Sequence, residues 1–188
     1  TERANRLCNS GVMCADAKTM FQLLAQVKNQ NAKQEYYLTD IVALGRAANQ
    51  KTHIVVGEES DAMGVNSRAE LAAAEAAFQK GARAAAMDAG VTLLDPDTVY
   101  FSYDTDIASD VTIEPNVFFA LGVKVAKGAR IHAYCHFEKT EVGPNAEIGP
   151  FAGFRPGTKL GAKVKIGNFV EVKNSILGDG AKASHLAY

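Results

Sequence analysis

Residues 142–172 read VGPNAEIGPFAGFRPGTKLGAKVKIGNFVEV, and within them Val142, Ile148, Phe154, Leu160, Ile166 and Val172 recur six residues apart. A helix repeats near 3.6 residues and a strand near 2, so this recurrence belongs to neither. It fits a triangular parallel β-helix, in which each hexad supplies one short strand and one corner and three hexads close a coil of roughly 18 residues. Equivalent side chains then stack about 4.8 Å apart from coil to coil. The same frame runs back, after one five-residue step, through Phe137, Ile131, Val125, Phe119, Ile113 and Ile107, and forward, after another, through Leu177 and Ala183. All fourteen positions are apolar in a chain that is 47% hydrophobic; chance gives that about 3 times in 100,000. Gly143, Gly149, Gly161, Gly167 and Gly178 follow the apolar mark, where a corner packs tightly or turns unusually. Small residues at Ala129, Ala146, Ala152 and Ala181 complete the hexad signature.

Upstream of about residue 100 the pattern is different. Residues 11–15 and the β-branched run His53-Ile54-Val55-Val56 read as strands. Helical spacing covers residues 17–27, and Thr39 or Asp40 can N-cap a helix over residues 41–48. Ser67 opens a long alanine-rich helix over residues 68–89, with Glu70 completing a capping box and Leu71, Ala74 and Phe78 as its apolar stripe. This half reads as the back end of an α/β domain, residues 1–100, and residues 101–188 as coils of a β-helix.

The 188 residues carry a net charge of −1; the first hundred hold 10 basic and 12 acidic side chains and the remainder 10 and 9. Neither part is a polycation, which argues against nucleic acid or an anionic membrane as the main partner. No stretch reaches the ~18–20 apolar residues of a membrane span, and no apolar run follows the first basic residues as in a signal peptide. Cys8, Cys14 and Cys135 are odd in number and form no Cys-x-x-Cys pair. Reduced thiols and a cytoplasmic location are the expectation. A start at Thr1 and a stop at Tyr188, inside a hexad with no cap behind it, reads as a piece cut from a longer chain with little turnover of its own.

Several stretches carry a family resemblance: Cys8-Asn9-Ser10-Gly11, Glu35-Tyr36-Tyr37-Leu38-Thr39-Asp40, Gly64-Val65-Asn66-Ser67-Arg68, Ile148-Gly149-Pro150-Phe151-Ala152, Phe154-Arg155-Pro156-Gly157, Gly167-Asn168-Phe169-Val170-Glu171-Val172-Lys173 and Ser184-His185-Leu186-Ala187-Tyr188. In this order the chain resembles the bacterial bifunctional N-acetylglucosamine-1-phosphate uridyltransferase / glucosamine-1-phosphate N-acetyltransferase family over essentially its whole length. The resemblance implies the C-terminal part of a Rossmann-like nucleotidyltransferase domain with its linking helix, then a left-handed β-helix, although general crossover rules favour the right hand. It also implies a cytoplasmic homotrimer, acetyl-CoA and UTP as co-substrates, Mg2+ at the uridyltransferase site, and UDP-N-acetylglucosamine for cell-wall synthesis as the product.

By that resemblance Asn9, Tyr37 and Thr39 line a sugar pocket and Asn66 helps hold magnesium, a hard cation that takes oxygen ligands. The glycine-rich nucleotide loop and the magnesium-binding aspartate that the family places earlier are absent, so this site is at most half present. Read without the family, Asn66 is a turn residue, Thr39 a helix cap, and Tyr36 and Tyr37 are packing aromatics. In the β-helix, Arg155, Lys159, Lys163, Lys165 and Lys173 face only Glu171 between residues 154 and 173, a surplus of +4. Arg155 and Lys173 each follow an interior mark, so they occupy one hexad slot a coil apart and project together. A guanidinium fork beside an ammonium suits a sugar phosphate; a solvated lysine face is the plain alternative.

His185 is then the general base by resemblance, with Arg155, Lys173 and Tyr188 orienting glucosamine-1-phosphate, because acetyl transfer to an amine needs that amine deprotonated. The family usually has glycine where Ser184 stands and threonine where Ala187 stands, and neither change removes a reacting group. Two alternatives remain. One is a related sugar nucleotidyltransferase whose β-helix only oligomerises. The other is a metal-dependent hexapeptide-repeat enzyme using His132, Cys135 and His136, which requires those ligands to converge at about 2.0–2.3 Å.

Overall fold

The computed structural model describes residues 7–188; residues 1–6, the start of the chain, lie outside them. Contacts divide the chain after Gly64 into two compact units. In the first, Asp16 caps α1 (Ala17–Leu24) by accepting from the Thr19 N–H at 2.9 Å. Helix α2 (Asp40–Ala47) packs on α1, with the buried Gly45 beside Leu23. Thr39 stands at the N-cap of α2, yet its hydroxyl makes no capping bond. Its own backbone is already helical, at φ −60 and ψ −24, whereas a side-chain cap needs an extended N-cap residue.

The two strands expected in this unit do not form. Among the described residues no strand precedes Thr92, so the α/β sheet is corrected to a helical unit with extended connections. A β-branched run becomes a strand only when a neighbour takes its backbone bonds and something covers its side chains. Residues 53–56 find neither, and Ile54 and Val55 stay 81% and 92% exposed.

The second unit is a β-solenoid. Sixteen parallel strands of two or three residues, from Thr92–Leu93 to Lys182–Ala183 among the described residues, visit three walls in turn. All fourteen marked apolar residues are the last residue of a strand. The first wall stacks Ile113, Ile131, Ile148, Ile166 and Ala183 inward, the second Phe119, Phe137, Phe154 and Val172, and the third Ile107, Val125, Val142, Leu160 and Leu177. Two earlier strands end at Leu93 and Phe101; Phe101 keeps the six-residue spacing to Ile107, and Leu93 alone falls outside the frame. The 3-10 turn Pro96–Thr98 lies between them and stretches that step to eight residues.

Phe101, Phe119, Phe137 and Phe154 form an inner column with centroids 5.5, 5.2 and 4.8 Å apart. Burying each ring contributes about 1.5–3 kcal/mol. Thr140 and Thr158 are the polar exceptions inside, and their hydroxyls donate to the Glu138 and Arg155 carbonyls at 2.8 Å, as buried hydroxyls must. Of the five glycines after the mark, Gly143, Gly161 and Gly167 are held by close approach of the next coil and Gly149 by a φ of +93; Gly178 has neither constraint.

Helix α3 (Arg68–Asp88) begins as expected, with the Ser67 Oγ accepting from the Glu70 N–H at 3.1 Å and the Glu70 carboxylate taking the Asn66 N–H. The stripe it buries differs from the expected one. Leu71 and Phe78 are exposed, and the packed face is Gln79, Ala82 and Ala86. The cause is the open edge of the first coil, whose backbone groups need polar partners rather than apolar cover. The Gln79 amide donates to the Phe101 carbonyl at 2.7 Å and accepts from the Phe101 N–H at 2.9 Å. Arg83 adds a bond from Nε to the Val99 carbonyl at 2.8 Å.

Two stability outcomes follow from this packing. Gln79→Ala strands two backbone groups and lowers unfolding free energy by about 1–3 kcal/mol. Gly167→Ala, whose Cβ would fall on the Ser184 carbonyl, costs about 1–3 kcal/mol, whereas Gly178→Ala, with nothing within 4 Å, stays within about 0.5 kcal/mol. Urea midpoints of the three variants check both, and equal midpoints for the two glycine variants would refute the close-approach account.

Candidate functional site

On the second wall the residue before each mark points outward and so does the residue after it. The strand Gly153–Phe154 pairs with Glu171–Val172, Phe154 opposite Val172. Arg155 and Lys173 therefore leave the wall at the same slot one coil apart, and the Arg155 N–H donates to the Val172 carbonyl at 2.9 Å. Glu171, outward on the same wall, accepts from the Arg155 guanidinium at 3.1 Å. Next, the Glu171 N–H donates to the Ala187 carbonyl at 2.9 Å, as the Gly153 N–H does to Val170 at 3.0 Å. Tyr188 thus takes the slot of Glu171 one coil further on, and it is exposed.

His185 is not on this wall. The Leu186 N–H donates to the Asn168 carbonyl at 3.2 Å, which sets His185 at the corner leading into the second wall. Leu186 shares that corner's left-handed backbone with Tyr134, Phe151 and Phe169, all at φ between 52 and 60. The imidazole is exposed and makes no hydrogen bond among the described residues. Arg155, Lys173 and Tyr188 thus come together on one wall, with His185 three residues before the tyrosine at its edge.

The five-cation patch dissolves in three dimensions. Lys159 pairs with Glu141 at 2.9 Å and Lys165 with Glu147 at 2.9 Å, on the third and first walls. Those carboxylates lie outside the counted window but a coil away in space. Each lysine, through its hydrogen bond and then its charge, holds its partner's carboxyl below the ordinary carboxylate range. Lys163, on the corner between the third and first walls, has no ion pair among the described residues; Arg155 and Lys173 are the two that share a slot on the second wall, and Arg155 already shares Glu171.

The metal reading of His132, Cys135 and His136 is corrected by the same geometry. His132 Nδ1 lies 2.9 Å from Glu114 Oε1 and its Nε2 3.6 Å from Glu147 Oε1. Cys135 is buried in the core, and His136 points outward and stacks on Phe118 with ring centroids 5.2 Å apart. Adjacent residues of a strand face opposite sides, so the trio cannot converge. Among the described residues no three His, Cys, Asp or Glu side chains gather in a way that could hold a metal ion.

Asn9, Tyr37 and Thr39 lie in the first unit and Asn66 in the second. The Asn9 carbonyl oxygen accepts from the Gly11 N–H at 3.0 Å, a local turn bond. Tyr37 offers its backbone carbonyl to Asp40 at the start of α2. Asn66, just before the Ser67 cap of α3, gives its backbone N–H to the Glu70 carboxylate, and among the described residues no three His, Cys, Asp or Glu side chains gather around it.

The Bacterial transferase hexapeptide (six repeats) family matches residues 139–174. The chain is 56% identical over 187 residues to the Bifunctional protein GlmU of Sphingopyxis alaskensis and 57% identical over 187 residues to that of Gluconobacter oxydans, in each case 100% of this chain and 42% of the relative. Over this span the chain belongs to the GlmU family. It covers about 42% of the length of those GlmU relatives. Among solved structures, a mutant of perosamine N-acetyltransferase from Caulobacter crescentus, in complex with CoA and GDP-perosamine, aligns with a TM-score of 0.40 and 15% identity, over 59% of this chain and 57% of that one.

Within this GlmU-type segment, sequence reading missed Glu171 as part of the site and counted it only as a stray negative charge. Its position directly before the mark Val172 was the available signal, since that slot faces outward beside Arg155. The cysteines give a simple check of the fold around the site. Burial pushes the Cys135 thiol up to about 11, so it stays protonated at pH 8, whereas Cys8 and Cys14 are exposed. Iodoacetamide at pH 8 is expected to label two thiols per native chain and three in denaturant; three in the native state would contradict an interior Cys135.

Proposed function

We propose that the solenoid, which begins at Thr92 rather than near residue 101, forms the first coils of a left-handed hexapeptide acetyltransferase domain and binds the sugar-phosphate acceptor of an acetyl transfer. Acetyl-CoA is the donor and the amine of glucosamine-1-phosphate the acceptor. The residues before the solenoid, with the linking helix α3, are the C-terminal part of a nucleotidyltransferase domain. The longer protein would then join the product to UTP with magnesium, giving UDP-N-acetylglucosamine for cell-wall polymers. The whole would work in the cytoplasm as a homotrimer.

The observation that supports this best is the single slot shared by Arg155 and Lys173. A phosphate monoester presents several oxygens, and a guanidinium fork with an ammonium one rung above it meets two of them at once. Glu171 keeps the guanidinium extended along the wall until the phosphate arrives. Tyr188, exposed on the same face, offers a hydroxyl to the sugar. His185 at the corner takes the proton as the amine attacks the thioester carbonyl; the C–S bond breaks and the thiolate of CoA leaves. An imidazole with no other hydrogen bond is free for that role. Magnesium and UTP would be used by the nucleotidyltransferase domain, of which this chain holds the C-terminal part, with Asn66 lending the metal one amide oxygen and Asn9, Tyr37 and Thr39 lining its sugar pocket.

In a protein extended to the length of its GlmU relatives, His185→Ala should lower acetyl-transfer kcat by about 10²–10⁴-fold and leave uridylyl transfer within about twofold. Equal loss of both activities, or of neither, would overturn the assignment, and loss of neither would favour a β-helix that only oligomerises. Arg155→Ala and Lys173→Ala should each raise the KM for glucosamine-1-phosphate by about tenfold or more, with the wild-type KM rising as salt screens the pair.

A further inference from the structure

The slot that Arg155 and Lys173 share runs further back along the second wall. Coil by coil, the residues directly after the marks are Ser102, Ala120, Glu138, Arg155 and Lys173. The Glu138 N–H donates to the Phe154 carbonyl at 2.9 Å, as the Arg155 N–H does to Val172. A carboxylate therefore leaves the wall one rung, about 4.8 Å, before the guanidinium.

Arg155 does not take that carboxylate. Its guanidinium turns to Glu171 at 3.1 Å, and the half-buried Glu138 side chain makes no ion pair or hydrogen bond among the described residues. Glu141 and Glu147 each reach a lysine across one coil, so the spacing permits such a pair. Here it leaves a negative charge unneutralised at one end of two cations. The other end differs, because Tyr188 lies one coil beyond Glu171, with His185 at the adjoining corner. Along the wall the order is Glu138, Arg155, Lys173, and then the tyrosine and histidine.

Resting on the sugar-phosphate role of Arg155 and Lys173 given above, we propose that Glu138 is a specificity-determining residue that confines the acceptor to a phosphate monoester. The amine has to lie at the His185 end to lose its proton there, so a phosphate held by Arg155 and Lys173 turns its far oxygens toward Glu138. In a monoester those oxygens end the ligand. In a nucleoside diphosphate sugar one of them carries a second phosphate, which continues toward the carboxylate. Moving one anionic charge from about one and a half rungs to about one rung from Glu138 weakens binding roughly fivefold at the effective dielectric near a protein surface. Glu138 thereby sets the order of the chemistry: a sugar that already carries its nucleotide is disfavoured on this wall, and acetylation comes first.

Calorimetric titration of the 188-residue protein with glucosamine-1-phosphate and with UDP-glucosamine, in wild type, Glu138→Gln and Glu138→Lys, tests this. Both ligands carry the same sugar amine, so the ratio of their affinities is the readout. Wild type is expected to prefer the monoester by about fivefold or more, with the preference shrinking as salt is raised. Glu138→Gln should remove about fivefold of that preference and Glu138→Lys more, at unchanged melting temperatures. A ratio that stays at the wild-type value in both variants overturns the role of Glu138 alone, and so does equal tightening of both ligands. A wild-type preference that is absent, or that salt does not alter, overturns it without recourse to any variant. Wild type binding neither ligand overturns the sugar-phosphate reading of Arg155 and Lys173 and this role with it.

Discussion

A strand of two residues has almost no stability of its own, and the second unit is built from little else. Every outward or inward slot exists because the coil before and the coil after supply backbone partners in register. That dependence makes the edge of the stack the weakest place in it. Helix α3 answers for the first edge, and it does so with a side-chain amide that presents to Phe101 both a donor and an acceptor, as another strand would. A leucine in place of Gln79 would cover the edge and leave its hydrogen bonds unmade.

Once the stack is continuous, interior and exterior become separate problems. The interior is fixed by repetition: phenylalanines on the second wall and isoleucines on the first leave little choice at any rung. The exterior is free to vary, because a side chain leaving a flat wall changes no packing inside. Charge is handled there by pairing across coils, Glu141 with Lys159 and Glu147 with Lys165. Such exposed pairs are each worth about 1 kcal/mol or less. Their larger effect is to pair off Lys159 and Lys165, so that Arg155 and Lys173 are the cations of the 154–173 stretch that share one slot on one wall.

The hexad frame was legible because one inward position per six residues must be apolar in every coil, and all fourteen marked residues proved to end strands. It holds back to Phe101, six residues before Ile107, and fails at Leu93, where the 3-10 turn at Pro96–Thr98 lengthens the step to eight and breaks the count. The helices were legible from caps and spacing, whereas the strand reading of residues 53–56 failed because β-branched composition records a tendency that only a neighbouring strand can realise. Of the candidate site, the common slot of Arg155 and Lys173 could be read by counting. Which of Glu138 and Glu171 grips Arg155 could not.

The sequence by itself determined the solenoid, its register and the direction in which each marked residue points, since these depend on a period that every coil repeats. The tertiary structure alone decided which charges meet, which wall stays free, and that Arg155 turns to Glu171 and leaves Glu138 unpaired. Those outcomes join residues 16 to 18 positions apart through coils whose length changes at each five-residue step, and a contact across that separation is settled only when the backbone has closed its turn.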